Sequence, residues 1–327
     1  MAVSTYRQAG VDVQAADRWL SRMGPSIRST HRQGVLKDRG SFAGLFRLPR
    51  GRFRDPVLVA STDGVGTKLK VAQAIGAHEA IGIDVVAMNT NDVITYGAQP
   101  LFFLDYLAVG TLQTAVMSRL LRGMVRGCRL SGCALLGGET ATMPGIYRLG
   151  DYDVAGFCVG VAERSRLIDG SRVRAGDVIV GLASAGIHAN GFSLIRKVLS
   201  GTMVKRLGRD LMVPTRIYVS LILRLLRRVP IHALVHVTGG GVTRRLPGLV
   251  AAKPSLRIRL DGLRWRVPPI FQTIQRAGGI TTEEMMATFN MGIGMALACH
   301  PRDAGAVVRL ARDVRISAWP IGTIERH

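Results

Sequence analysis

The sequence is short of acid. Its 22 Asp and Glu residues face 44 Lys and Arg, a formal charge of +22 at pH 7 over 327 residues. Lysine is scarce too: only Lys37, Lys68, Lys70, Lys197, Lys205 and Lys253, so nearly all the positive charge is arginine. Aromatic residues make up 6% of the chain, and no basic run is interleaved with rings that would stack bases. Specific nucleic-acid binding is therefore not expected despite the charge. The arginines fall at helical-face spacing instead, as in Arg119, Arg122, Arg126 and Arg129, or Arg224, Arg227 and Arg228. Cysteine is limited to Cys128, Cys133, Cys158 and Cys299 without a C-x-x-C pair, which argues for buried thiols over disulfides or a metal site. No apolar run reaches the ~18 residues of a membrane-spanning helix. The N-terminal stretch carries Asp12 and Asp17 and no apolar signal core. A cytoplasmic location and no membrane partner are expected. A Walker loop, a G-x-G-x-x-G after a strand, G-x-S-x-G and H-E-x-x-H are all absent. Any ATP chemistry must use another scaffold.

What is present begins with Pro56–Ala60, a short apolar run read as a buried strand, followed by Ser61–Lys70, STDGVGTKLK. Asp63, Gly64, Gly66 and Lys68 put an acid, two glycines and a base within six residues. Glycines let backbone N–H groups approach an anion. A carboxylate beside them would repel phosphate unless a cation intervenes. The stretch reads either as a Mg²⁺–nucleotide site or as a strand-to-helix turn with solvated charges. Farther on, Ile81–Tyr96 sorts at helical spacing and carries Asp84, Asn89, Asn91 and Asp92. Such a face is usually solvated, yet one rich in Asp and Asn suits oxygen ligation of a hard cation. Gly40–Gly44, with Gly40 and Ser41, is a small-residue loop that either covers a ligand or simply turns.

Leu112–Cys128 shows a clear amphipathic period. Cys133–Leu136 reads as a strand entering Gly137-Gly138-Glu139-Thr140, a second acid-plus-glycine turn. Tyr152–Val161 alternates as a strand. A polar, turn-rich stretch at Ala162–Gly176 places a boundary, giving domains 1–165 and 166–327. The second half is expected to mix strands and helices: a loop at Ser184–Gly191, a helix opening at Pro214, and Thr238–Gly241, TGGG, with N–H groups able to hold a phosphate. His232 and His236 read as satisfied core histidines. The fold class is α/β (α+β) with two mixed domains.

Together the motifs resemble those of the phosphoribosylformylglycinamidine cyclo-ligases, the aminoimidazole ribonucleotide synthetases. STDGVGTKLK (61–70), Asn91-Asp92 with Gly97-Ala98-x-Pro100, FFLDY (102–106), GGETATMPG (137–145), DYDVAGFCVG (151–160), PTRIYV (214–219), TGGG (238–241) and TFNMGIGM (288–295) carry the resemblance. It implies an N-terminal sheet that pairs with a second subunit into a β-barrel, a homodimer, and ATP and Mg²⁺ as cofactors. It also implies a small-molecule substrate, formylglycinamidine ribonucleotide, closed to aminoimidazole ribonucleotide in purine biosynthesis. By match to the family, Asp63, Asp92 and Glu139 would hold Mg²⁺. Lys68, Gly64, Gly66, Thr67, Gly137, Gly138 and the Gly40–Ser41 loop would hold phosphate oxygens, with Asn91 orienting them. His188 would accept a proton, and Asn190, Thr238, Gly239 and Gly240 would face the substrate.

The sequence departs from the pattern in places. Ser41 and Ala43 replace expected glycines, Ile187 stands where Pro is common, and the segment before Pro214 is short. Arg244 and Arg245 stand where an acid or amide usually follows TGGG. A selenophosphate synthetase would want a cysteine near the first glycine loop, and the first here is Cys128. A thiamine-phosphate kinase would lack GGETATMPG and TFNMGIGM. A basic nucleic-acid binder and a non-catalytic remnant are the readings of a different class.

Overall fold

Apolar residues two apart build two sheets, and those three and four apart build the helices laid on them. The computed structural model describes residues 5–36, 43–262 and 264–327. The first half runs α1 (Val13–Arg28), β1 (Pro56–Gly64), α2 (Lys68–Ile75), α3 (His78–Thr95), β2 (Gln99–Val109), α4 (Thr114–Ser131), β3 (Ala134–Thr142) and β4 (Tyr152–Glu163). Its sheet has the order β1-β4-β2-β3. β2 and β3 are parallel and joined through α4; the other pairs are antiparallel. One face carries α3 and α4, whose backbones touch: a Cβ on Gly82 would run into the Leu120 carbonyl, and one on Gly123 into the Glu79 carbonyl. The other face leaves Leu58, Tyr106 and Phe157 exposed.

Two strands run farther than expected. β1 continues through Ser61–Gly64, so Asp63 and Gly64 pair with Gly156 and Ala155. β3 continues through Gly137–Thr142, with Gly137 and Gly138 opposite Leu104 and Asp105. The expected second glycine turn is thus a strand. Once β2 supplies a ladder, pairing outweighs the local turn preference of Gly-Gly.

α3 departs from expectation in another way. It is wedged between the first sheet and the second half, and Asp84, Asn89 and Asn91 are all 0% exposed. Its polar side chains are therefore interior groups that must find partners.

The second half runs β5 (Val178–Ala183), α5 (Phe192–Val198), α6 (Gly201–Arg206), α7 (Gly208–Leu211), α8 (Val219–Leu225), β6 (Ile231–His236), α9 (Gly241–Arg245) and β7 (Leu256–Leu260). It ends with α10 (Pro269–Gly278), α11 (Thr282–Thr288), β8 (Ile293–Cys299), α12 (Pro301–Asp313) and β9 (Ala318–Arg326). Its sheet, β6-β8-β5-β9-β7, is antiparallel throughout, and β8 is buried at every residue. The helix expected at Pro214 begins only at Val219: Asp84 and Asn91 of α3 accept from the Thr215 and Tyr218 N–H groups, and His188 from that of Arg216. All four cysteines are free and buried. No described helix is long and apolar enough to cross a membrane.

Candidate active site

Buried polar groups stitch the two halves together. Lys68, the first residue of α2, is 0% exposed. Its Nζ lies 2.8 Å from Asp84 Oδ2 and donates to the carbonyls of His188 (2.8 Å) and Val213 (3.1 Å). Asp84 Oδ1 accepts from the Thr215 N–H (2.6 Å) and hydroxyl (2.7 Å). The two carbonyls accept from the ammonium, and Asp84 Oδ2 supplies its counter-charge. Burial pulls the Lys68 pKa down, and Asp84 pulls it back up. The expectation that Lys68 holds phosphate oxygens is corrected: it ties α2 and α3 to the second half. Asn91 does similar work. Its Nδ2 donates to the Arg216 carbonyl (2.8 Å), and its Oδ1 accepts from the Tyr218 N–H (2.9 Å).

The next residue on α3 has a different setting. The Asp92 side chain is 42% exposed, and its Oδ1 lies 2.9 Å from His236 Nδ1. Asp63, near the end of β1, accepts from the Gly64 N–H (2.8 Å), and Asn89 holds its carbonyl to α3 (3.2 Å). Burial raises the Asp63 pKa, the Gly64 bond lowers it, and the charge of Asp92 raises it; His236 and Arg245 act the other way. A second carboxylate whose charge reaches Asp63 suits a divalent cation. Mg²⁺ commonly takes one or two carboxylates and completes its shell with water and phosphate oxygens.

Glu139 does not join them. Asp63, Gly156, Asp105 and Gly138 form one row across the sheet, so Asp63 and Gly138 lie on opposite edge strands. Three strand spacings separate those edges, about 14 Å. Glu139 follows on the far edge, opposite exposed Tyr106. Among the described residues no three His, Cys, Asp or Glu side chains converge as a metal site. Within one chain the expected three-carboxylate set reduces to Asp63 and Asp92, and Gly137 and Gly138 stand with Glu139.

His188 is buried and holds a φ of +67°, rare for a residue with a Cβ. Its Nε2 accepts from the Ala185 N–H (3.1 Å) and more loosely from that of Arg216 (3.4 Å). The ring proton therefore sits on Nδ1, which is buried without a partner among the described residues. Burial first, then the charges of His236, Lys68 and Arg216, hold its pKa well below the usual imidazole range. A ring so engaged braces its loop; as an accessible proton acceptor it is corrected. Asn290 fixes the same loop, donating to the Gly186 and Ile187 carbonyls (2.9 Å each).

The other expected residues fall into two groups. Asn190 lies against the TGGG loop: a Cβ on Gly239 would sit 3.5 Å from Asn190 Nδ2. Asn190, Thr238, Gly239 and Gly240 are thus brought together. Gly66 turns with φ +68°, and Thr67 Oγ1 reaches Ser193 Oγ on α5 (2.9 Å). Gly40 and Ser41 lie outside the described residues.

His236 is, as expected, an interior histidine with partners at both nitrogens; what sequence reasoning missed is that one of those partners is Asp92. His232 is a satisfied interior histidine, 2.7 Å from Asp177. His236 ends β6 and meets Asp92. The available signal was its position two residues ahead of Thr238–Gly241.

Two matched regions span most of the chain. Residues 43–162 match the N-terminal domain, and residues 174–327 the C-terminal domain, of AIR synthase related protein. The chain belongs to the AIR synthase related family. Among its relatives, a phosphoribosylformylglycinamidine cyclo-ligase of Nitrosococcus oceani is 49% identical over 98% of this chain and 91% of that one. The protein of the same name from Syntrophus aciditrophicus is 46% identical over 99% and 96%. Solved structures agree at the level of fold. A thiamine-monophosphate kinase from Stenotrophomonas maltophilia superposes with a TM-score of 0.71 at 20% identity, covering 93% of each chain. A hydrogenase maturation protein in complex with ATP gives 0.72 at 18%, covering 95% of this chain and 87% of that one.

Proposed function

We propose that this AIR synthase family member is an ATP-dependent cyclo-ligase that converts formylglycinamidine ribonucleotide to aminoimidazole ribonucleotide, ADP and phosphate. The observation that carries the reading is full-length similarity to proteins of that name, supported by Asp63 and Asp92 lying within electrostatic reach of each other. An amide oxygen is a poor leaving group, and its carbon is a weak electrophile. Transfer of the γ-phosphoryl group to the formyl oxygen corrects both. The amidine nitrogen of the same molecule then attacks that carbon, phosphate departs, and nitrogen loses a proton. Ring closure gains from having both reacting atoms in one molecule held in place.

Asp63 and Asp92 would hold Mg²⁺, which when bound offsets the charge of the triphosphate. Gly64, Gly66 and Thr67 are the phosphate contacts of the same turn. His236, buried between Asp92 and Asn91, positions the Asp92 carboxylate. Its Nδ1 lies against Asp92 and its Nε2 against the Asn91 amide at 3.3 Å. Asn190 and Thr238–Gly240 line the substrate side. The exposed face with Leu58, Tyr106 and Phe157 suits pairing with a second copy in a homodimer. The work would be done in the cytoplasm. The test is ADP release with and without formylglycinamidine ribonucleotide. Stoichiometric ADP and aminoimidazole product are expected; ADP release that ignores the substrate would reject the reading.

A further inference from the structure

We propose that Asn91 is a positioning residue for the cation site: acting through His236, it fixes which oxygen of Asp92 stays free for a divalent cation. The cation belongs to the cyclo-ligase reading, on which the proposal rests, whereas the hydrogen bonds do not depend on it. Asn91 sits on α3 and is 0% exposed. Its Oδ1 accepts from the Tyr218 N–H at 2.9 Å, and its Nδ2 donates to the Arg216 carbonyl at 2.8 Å. Two backbone groups thus settle the orientation of the amide. Turned over, it would set oxygen against oxygen and N–H against N–H.

The second Nδ2 hydrogen is left for His236, whose Nε2 lies 3.3 Å away. An NH₂ group offers only hydrogens, so that ring nitrogen presents its lone pair. A neutral imidazole that accepts at Nε2 carries its proton on Nδ1. Nδ1 lies 2.9 Å from Asp92 Oδ1, so the proton is directed into the carboxylate. The ring has little room to rearrange: the His236 side chain is 2% exposed, and its backbone pairs with Met295 in the second sheet.

The consequence falls on Asp92. Its Oδ1 is held by an N–H that arrives from the other half of the chain, while Oδ2 has no hydrogen-bond partner among the described residues. Oδ2 is therefore the oxygen offered outward, on the carboxylate whose charge reaches Asp63. Were residue 91 to present an oxygen to Nε2, the ring proton would move there and the Nδ1 lone pair would face the carboxylate. A partner behind a metal ligand sets affinity by orienting that ligand, without touching the cation itself.

Two measurements made without turnover test this. The first is the ¹⁵N spectrum of histidine-labelled, metal-free protein at pH 8, with the His236 signals assigned by their loss in His236→Asn. A protonated Nδ1 and a bare Nε2 are expected in wild type, and a protonated Nε2 in Asn91→Asp. A wild-type proton on Nε2 or on both nitrogens overturns the proposal, and so do signals that Asn91→Asp leaves unmoved. The second is Mn²⁺ binding, followed by electron paramagnetic resonance, to wild type, His236→Asn and His236→Gln. An asparagine amide reaches the place of Nδ1 and a glutamine amide that of Nε2, so only the first restores a donor to Asp92. His236→Asn is expected to hold Mn²⁺ within about threefold of wild type, and His236→Gln to bind it roughly tenfold more weakly. Equal affinities in the two variants overturn the proposal, because a merely structural histidine would respond that way. So does a wild type that binds no Mn²⁺. The two His236 variants carry the test even where Asn91→Asp does not fold. The expected tautomer and affinities beside a failed ring-closure assay would reject the proposed reaction and leave the positioning role standing.

Discussion

Asp84 and Asp92 lie on one helix about two turns apart, and their environments are opposite. Asp84 is fully buried with Lys68 and Thr215 around it. Asp92 is partly open, with His236 on one side and another acid, Asp63, within electrostatic reach. The first carboxylate has its counter-charge inside the chain, so its work is structural. The second is under-compensated, so it retains the capacity to bind something else. Both are aspartates on a polar helix face, and residue type alone does not separate them.

The largest effect that would sharpen this contrast is on stability. Lys68→Met leaves Asp84 buried without its cation, at a cost of about 3–5 kcal/mol. A melting temperature lower by roughly 10 °C is expected, and Lys68→Met/Asp84→Leu should recover more than half of the loss. A Lys68→Met protein that melts like wild type but has lost affinity for ATP would restore the phosphate role and erase the contrast.

Asp63→Asn should do the reverse. Turnover is expected to fall at least about a hundredfold, while the melting temperature stays level or rises slightly as repulsion with Asp92 is relieved. Melting curves and ADP release on the same preparation check both. A melting loss as large as that of Lys68→Met would make Asp63 a structural residue too.

The smallest effect concerns Asp105, which lies between Asp63 and Gly138 in the row across the sheet. Burial pushes its pKa from 3.8 up to about 7, its own backbone N–H pulls against this, and the Glu139 charge adds to the rise. The folded protein therefore holds a proton that the unfolded chain releases between about pH 4 and 7. This contribution to stability is complete below the unfolded value and is lost as pH rises through the folded one. Asp105→Asn should raise the melting temperature by about 2–3 °C at pH 8 and leave it unchanged at pH 4. Equal shifts at both values would show that the carboxyl does not titrate in this window.

Several features were legible because they depend on local pattern. The period of Leu112–Cys128 is the buried stripe of α4, with Met117, Leu120, Leu121, Met124 and Cys128 all inside. The four cysteines are buried thiols. Asp63 and Asp92 could be singled out because acids beside glycine or asparagine, after a strand and on a helix, are few in a chain so poor in acid. Glu139 looked equivalent to Asp63 because both follow or precede glycines at a strand end. Nothing within nine residues of either reveals that their strands occupy opposite edges of the sheet.

By itself the sequence determined the elements, the family and a short set of acids, since periodicity and motif spacing act over a few residues. Only the tertiary structure decided which charges are neutralised. It sealed Lys68 with Asp84, turned His188 inward and set His236 against Asp92. The Lys68, Asp84 and His236 contacts each span more than a hundred positions, and electrostatic energy depends on distance in space and on burial, neither of which can be read from neighbours in the chain.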